Sequence, residues 1–343
     1  MAKWYEEKGE FSDVVISSRL RYARNLRKYP FSIKLKDEQA EQLVNEVENV
    51  FKDYQDEDGK MMFCRLSKLS GVEKYALVER HVLSPTLADK KQEAGVLLSP
   101  TENYSVLINE EEHLRIQVLC GGMNMRKAYE KANEIDDFIS GKMDVAFDTK
   151  YGYLTTCPTN LGTGLRASYM IFVPALEASG KLQTLAQELA KYGVTLRGTY
   201  GEGSQPVANI YQISNQRSLG ESEEGIMNNI NDIVMQVVKQ ERKHREYLLM
   251  NSYDTLEDQV YRSYGVLKYA RQINTKDAMI LLAQIKFGFD TGILASKDYA
   301  NMYQLMMEIQ SCNIAEREGR KLGTAAREKA RAAYINTHLP ELV

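Results

Sequence analysis

Near residue 245 the hydrophobic pattern changes its period, and this change constrains the fold more than any other feature of the chain. On the N-terminal side two periods alternate. Leu43, Val44, Val47, Val50 and Phe51 keep the spacing of a helix face, whereas Leu114, Ile116 and Val118 alternate with polar neighbours, as in a half-buried strand. The runs GVLLS, YSVLI, SYMIFV and ANIYQI are short and rich in β-branched or aromatic residues, which favours strands. From residue 221 onward Ile226, Ile230, Ile233, Val234 and Val237 keep helical spacing, and further helices are expected over 255–272, 275–287, 296–311 and 324–337. The expectation is a mixed α and β part up to about residue 245 and an all-helical tail after it. Repeats, low-complexity runs and proline-rich linkers that would mark other boundaries are absent from the sequence.

Composition narrows the classes of function. With 343 residues, 43% hydrophobic and 27% charged, the chain has enough apolar residues for a sizeable core. Its formal net charge is −3 and its Lys and Arg residues are dispersed, so no basic stripe favours direct binding to nucleic acid or an anionic membrane. No run approaches the roughly 18 consecutive apolar residues of a membrane span. The opening MAKWYEEKGEFSD lacks the apolar core of a secretory signal, so a cytoplasmic protein is expected. Cys64, Cys120, Cys157 and Cys312 lie far apart and His81, His113, His244 and His338 do not cluster. That spacing supports neither a disulfide framework nor a structural zinc site, and no protein ligand set for a metal is expected.

Five arginines stand in segments dense with small polar residues: Arg19 and Arg21 in ISSRLRYARN, Arg115 in NEEEHLR, Arg166 in TNLGTGLRAS and Arg197 in LRGTYGEG. Guanidinium groups bind phosphate oxygens in pairs and stay charged at any working pH, so a set of them suits a triphosphate; each one alone better suits an ordinary surface or ion-pair role. GTGLRAS is glycine-rich and precedes a strand-like run, so its amides could approach phosphates, with a plain glycine turn as the other reading. The G-x-x-x-x-G-K-[ST] loop and the H-R-D and D-F-G signatures are absent, so any phosphoryl transfer here uses other parts. Asn109 precedes Glu110, Glu111 and Glu112 between two strand-like runs; the crowded carboxylates offer a candidate general base or, alternatively, a solvated acidic turn. Glu202 lies between Gly201 and Gly203, where a mobile loop could bring a carboxylate toward a substrate, with an exposed turn as the other reading. Cys157 ends a strand-like run before Pro158, near where the arginines would gather, and cationic surroundings favour a thiolate.

Taken in order, SSRLRYARN, NEEEHLRIQ, CPTNLGTGLRAS and RGTYGEG resemble the phosphagen (guanidino) kinase family, which includes the arginine and creatine kinases. The resemblance spans about residues 12–245. It implies an α+β fold, with an antiparallel β-sheet flanked by helices over 12–245 and an all-helical domain over 246–343. Within the family the chain looks most like the bacterial branch that phosphorylates arginines in proteins. Small-molecule guanidino kinases resemble this chain only after a helical domain of roughly a hundred residues. Here SSRLR begins at residue 17, so an acceptor site open to an arginine on a protein surface is expected. In the tail, REKARA resembles that branch's phosphoarginine-binding motif R-D-x-x-R-A at Arg327, Glu328 and Arg331, with Glu328 in place of Asp.

Carried over position by position, the resemblance implies that Ser17, Ser18, Arg19, Leu20, Arg21, Arg115, Arg166, Ala167, Ser168, Tyr169, Met170, Arg197, Gly198, Thr199, Tyr200, Gly201 and Glu202 surround the phosphates of ATP with its Mg²⁺, and that His81 lies near the adenine. Glu111 matches the family's catalytic carboxylate and Glu202 the second carboxylate that grips the guanidinium, with Glu110 in support and Cys157 beside the acceptor. Glu112 stands where the family usually has Asp and carries no assigned role. The implied partners are protein substrates with exposed arginines, among them a stress-gene repressor, a Clp ATPase and protease system, an activating adaptor and a second copy of the chain. Two other outcomes stay open: a kinase of free guanidino compounds, and a catalytically inert module that binds phosphoarginine.

Overall fold

Strand alternation builds the centre of the molecule. The computed structural model describes residues 2–198, 207–297 and 301–343. Among them, β1 (Val15–Arg24), β2 (Met62–Arg65), β3 (Gly95–Leu98), β4 (Tyr104–Ile108), β5 (Leu114–Gly121), β6 (Leu165–Phe172), β7 (Val194–Gly198) and β8 (Ile210–Asn215) form one sheet in the order β7-β8-β6-β1-β5-β4-β3-β2. Every neighbouring pair is antiparallel. At the centre, Arg21 of β1 stands opposite Gln117 of β5 on one side and Arg166 of β6 on the other.

Because successive side chains point to opposite faces, this register sorts residues cleanly. Leu20, Tyr22, Ile116, Val118, Ala167 and Tyr169 fall on one face, in a core shared with helices Asp37–Phe51 and Met125–Ser140 and the first part of helix Glu223–Tyr269. On the other face the arginines occupy the middle, and apolar residues gather toward the ends. Val96, Leu98 and Leu107 pack with Leu77 and Val78 of helix Gly71–Glu79 and with Leu87 and Ala88 of the short helix Pro85–Ala88. Leu119, Met170 and Phe172 meet Trp4, Tyr5 and the helical tail. Helices thus cover the sheet but leave its basic centre approachable.

The tail holds helices Thr275–Thr291, Met302–Glu308, Ser311–Arg317 and Thr324–His338. Residue 245 lies inside helix Glu223–Tyr269, whose backbone leaves helical geometry at Ser252 (φ −146°, ψ 27°). The helix expected over 296–311 is shorter, because the Asn301 side chain caps it by accepting from the Gln304 amide at 3.0 Å and Gln310 is extended (ψ 156°) before the next helix starts. Polar contacts seat the tail on the sheet part. Glu79 accepts the Cys312 amide at 2.8 and 2.9 Å and the Asn313 amide at 2.8 Å, which satisfies the start of helix Ser311–Arg317. Arg80 donates to Asn313 Oδ1 and Glu316 Oε2, both at 2.7 Å. No helix among the described residues is long and apolar enough to cross a membrane.

Candidate active site

Five arginines share one face of the sheet: Arg197 on β7, Arg166 on β6, Arg19 and Arg21 on β1, and Arg115 on β5. Neutral polar residues on the same face hold three of them. Arg19 donates to Ser168 Oγ at 3.4 Å and to Gln212 Oε1 at 2.9 Å; Ser214 Oγ accepts from Arg166 at 3.3 Å and Arg197 at 2.9 Å. The buried Nε groups of Arg21 and Arg166 have no acceptor among the described residues. Burial, with Arg197 and Arg115 nearby, brings the Arg19 guanidinium down to about 10, and burial with Arg19 and Arg115 nearby pushes Arg21 well below the usual arginine range. So many half-buried cations in a low-dielectric setting form a site that an anion of several charges would relieve.

Acidic residues reach the same place from the hairpin between β4 and β5. Asn109 takes a left-handed conformation (φ 59°), one that asparagine tolerates better than most residues, and its amide donates to the His113 carbonyl at 2.8 Å. The turn so formed aims Glu110 and Glu111 back at Arg115. Glu110 is buried and pairs with Arg115 Nη1 and with the Ser84 hydroxyl, while Glu111 is exposed and lies 3.2 Å from Arg115 Nη2. Glu112 points the other way, fully buried, and accepts hydrogen bonds from the segment that carries Cys157.

Two cavities adjoin across the arginines. A smaller one of about 150 Å³ is lined by Arg19, Arg21, Arg115, Arg166 and Arg197 together with His81, Ser84, Gln117 and Gln212. The second, about 340 Å³, shares Arg21, Arg115, Arg166 and Arg197 and adds Glu111, Cys157, Thr159 and Asn160. Polar anchors of the first and an acid and a thiol of the second therefore face a common wall of cations. His81 is buried with φ 61°, and burial, with Arg19 beyond it, lowers its imidazole to about 3, so the ring is neutral at ordinary pH. The Cys157 thiol lies 3.1 Å from Thr159 Oγ1.

The glycines of TNLGTG are required by the chain's own packing. A Cβ on Gly162 (φ 110°) would come within 2.7 Å of the Ser218 carbonyl, and one on Gly164 (φ 67°) within 2.7 Å of the Ala23 carbonyl and 2.6 Å of Arg24 Nη1. Arg24 donates to the Thr163 carbonyl at 3.0 Å and pairs with Asp136 at 2.7 Å, which fixes the approach to Arg166.

Not every expected residue presents its side chain here. Ser17, Ser168 and Met170 lie on the arginine face, whereas Leu20, Ala167 and Tyr169 are in the opposite core. Ser18 donates to the Gly122 carbonyl and accepts from the Asn124 amide, both at 2.7 Å. Gly198 ends β7, and Thr199, Tyr200, Gly201 and Glu202 lie outside the described residues. In the tail Arg331 is buried, donating to the Ile309 carbonyl at 2.8 Å, the Ile273 carbonyl at 3.0 Å and Ser311 Oγ at 3.2 Å. Arg327 is half-buried, and Glu328 accepts from Gln272 at 2.7 Å. Ser84, Gln117, Gln212 and Ser214 were not anticipated. Gln117 stands two residues from Arg115, and Gln212 and Ser214 alternate along one strand, so period 2 was a signal for these; Ser84 had none.

Residues 42–244 match the family model for the ATP:guanido phosphotransferase C-terminal catalytic domain. Two solved structures share the fold. A lombricine kinase superposes with TM-score 0.61 at 24% identity, over 68% of each chain; a duplicated taurocyamine kinase from Schistosoma mansoni gives 0.62 at 22% identity, over 92% of this chain and 48% of that one. The chain belongs to the ATP:guanido phosphotransferase family. Its similarity runs through both parts of the molecule to the protein-arginine kinases, since residues 253–342 match the protein-arginine kinase McsB C-terminal domain. It is 39% identical over 339 residues to the protein-arginine kinase of Brevibacillus brevis (98% of this chain, 95% of that one) and 39% identical over 340 residues to that of Bacillus subtilis (99% and 93%). The Halalkalibacterium halodurans protein-arginine kinase is 40% identical over 339 residues (99% and 95%).

Proposed function

We propose that this enzyme transfers the γ-phosphoryl group of ATP to arginine guanidinium groups of proteins. The observation that carries the reading is the common wall of Arg21, Arg115, Arg166 and Arg197 between a cavity with His81 and one with Glu111 and Cys157. The first cavity would take the nucleotide, with its phosphates on the arginines and its adenine near the neutral His81. The second would take the acceptor guanidinium. The donor set fits a polyphosphate. Mg²⁺ would ride on the nucleotide's own phosphates and neutralise charge on them.

A guanidinium has a pKa above 12 and attacks poorly while protonated. Glu111 would accept a proton from the attacking nitrogen as the N–P bond forms and the bond from the γ-phosphorus to the β–γ bridging oxygen breaks, leaving that electron pair on ADP. The transition state of phosphoryl transfer is loose, so most acceleration comes from positioning and countercharge, which the five arginines would supply. Glu202 would grip the guanidinium from the other side, Glu110 would keep Arg115 aimed, and Cys157 would orient the acceptor. We also read 12–245 as the catalytic unit and 246–343 as a unit that meets phosphoarginine through Arg327, Glu328 and the buried Arg331.

The resemblance supports a cytoplasmic homodimer with an activating adaptor, whose substrates include a stress-gene repressor and whose marked proteins pass to a Clp ATPase and protease. The deciding experiment is mass spectrometry, handled without acid, of an unstructured arginine-containing protein after incubation with the enzyme, Mg²⁺ and ATP, with free arginine in parallel. Phosphate on protein arginines alone is the expected result. Phosphate mainly on free arginine would replace the proposal with a small-molecule kinase, and phosphate on neither, with the adaptor present, would leave an inert binding module.

A further inference from the structure

The hydrogen bonds of Glu112 converge on one segment. Its carboxylate is fully buried, and each oxygen accepts twice: Oε1 from the Cys157 amide at 3.1 Å and Asn160 Nδ2 at 3.3 Å, Oε2 from the Thr156 amide at 2.7 Å and Asn25 Nδ2 at 2.5 Å. Three of the four donors belong to residues 156–160, the stretch that brings Cys157 and Asn160 to the second cavity. The fourth, Asn25, donates to the Leu154 carbonyl at 3.1 Å, and its Oδ1 accepts the His113 amide at 2.8 Å. The hairpin that presents Glu111 and the loop that presents Cys157 are thus tied together through one side chain, adjacent in sequence to the exposed Glu111.

We infer that Glu112 is a positioning residue: its carboxylate sets the Cys157 loop relative to Glu111 and so fixes the width of the acceptor cavity. The inference rests on reading that cavity as the acceptor site. A carboxylate suits this place because all four neighbours are donors and it is acceptor-only when ionised. Replacement by Gln keeps the shape but turns an NH₂ toward at least one pair of donors. Asp, the residue the family usually has here, is one methylene shorter, so in this chain the same four donors would have to move toward it. Hydrogen bonds to charged acceptors in buried settings are among the strong ones, so the loop should shift when they are lost.

The test is a steady-state and chemical comparison of wild type with Glu112→Gln, Glu112→Asp and Asn160→Ala, the last in case the first two fail to fold. Expected is a KM for the protein acceptor raised about tenfold or more in Glu112→Gln, with the ATP dissociation constant within about twofold of wild type and a smaller rise in Asn160→Ala. A second readout needs no activity. Burial holds Cys120 up at about 12 and Cys312 up at about 11 and also raises Cys64, so iodoacetamide should report first on Cys157. Its alkylation rate should change about fivefold or more in Glu112→Gln, in line with a loop-ordering energy of the size of one hydrogen bond. Folded variants with unchanged Cys157 alkylation and unchanged acceptor KM would overturn the inference, as would loss of ATP affinity as large as the loss for the acceptor. If wild type modified no arginine at all while alkylation still responded to Glu112→Gln, the proposed function would fall and the loop-setting role would stand.

Discussion

Single side chains carry opposite duties within a few positions of one another. Glu110, Glu111 and Glu112 are consecutive, yet one is buried against Arg115 and Ser84, one is exposed at the second cavity, and one is fully buried under the Cys157 loop. If Glu111 is the base, Glu111→Gln should lower kcat by roughly 10²- to 10⁴-fold. The ATP dissociation constant should stay within a few-fold, checked by single-turnover kinetics and nucleotide titration; unchanged kcat would remove the assignment. His81 makes a prediction in pH. Its folded pKa is about 3 and the unfolded imidazole titrates near 6.5, so below about 6.5 the unfolded chain takes up a proton that the folded chain refuses. This residue therefore costs stability as pH falls from about 6.5 to about 3, by up to roughly 1.4 kcal/mol per pH unit. His81→Asn, which tolerates the positive φ, should flatten urea-unfolding free energy against pH in that window; an unchanged slope would mean that the buried imidazole is not refusing the proton.

At the scale of elements, β1 is the strand on which the site depends, and its sequence alternates basic and apolar residues where most strands alternate polar and apolar. Leu20 and Tyr22 turn to the core while Arg19 and Arg21 turn to the cavity. No strand is read over 15–24 from pattern alone, and the pairing of Arg21 opposite Arg166 is not legible either, because register depends on strands far apart in the chain. The loop before β6 is set by Arg24, whose guanidinium is almost completely buried between Asp136 and the ring of Tyr153, 3.5 Å from the ring centroid. Asp136→Ala would leave that charge buried without its partner and should destabilise the fold by about 3–5 kcal/mol in chemical denaturation. A cost below about 1 kcal/mol would show that the pair is not needed to hold the loop.

Across the whole molecule, the tail meets the sheet part through the apolar cluster around Trp4, Met170 and Phe172 and through a polar seam at Glu79 and Arg80. Arg80 sits in that seam between Glu102, Asn313 and Glu316, and it directly precedes His81. Arg80→Ala should cost about 3 kcal/mol and raise hydrogen exchange in 311–317 above that of the sheet strands; equal exchange in both would argue against the seam as the link. The cation wall adds a ligand prediction: ADP with Mg²⁺ at about a hundred times its Kd should stabilise the fold by about 2.7 kcal/mol, read as a rise in Tm that shrinks with salt and in Arg166→Ala. The switch from mixed α and β to helices, the identity of the arginines and carboxylates and, through four ordered motifs, the family are all legible in the sequence alone. Those features are local or ordered along the chain, so one-dimensional pattern carries them. That the arginines share one face, that the glycines of TNLGTG serve the chain's own packing, that Arg331 bonds the Ile273 and Ile309 carbonyls and Ser311, and that Glu112 ties two loops together are visible in three dimensions alone. Each of these depends on contacts between segments distant in sequence, whose register and burial no local pattern records.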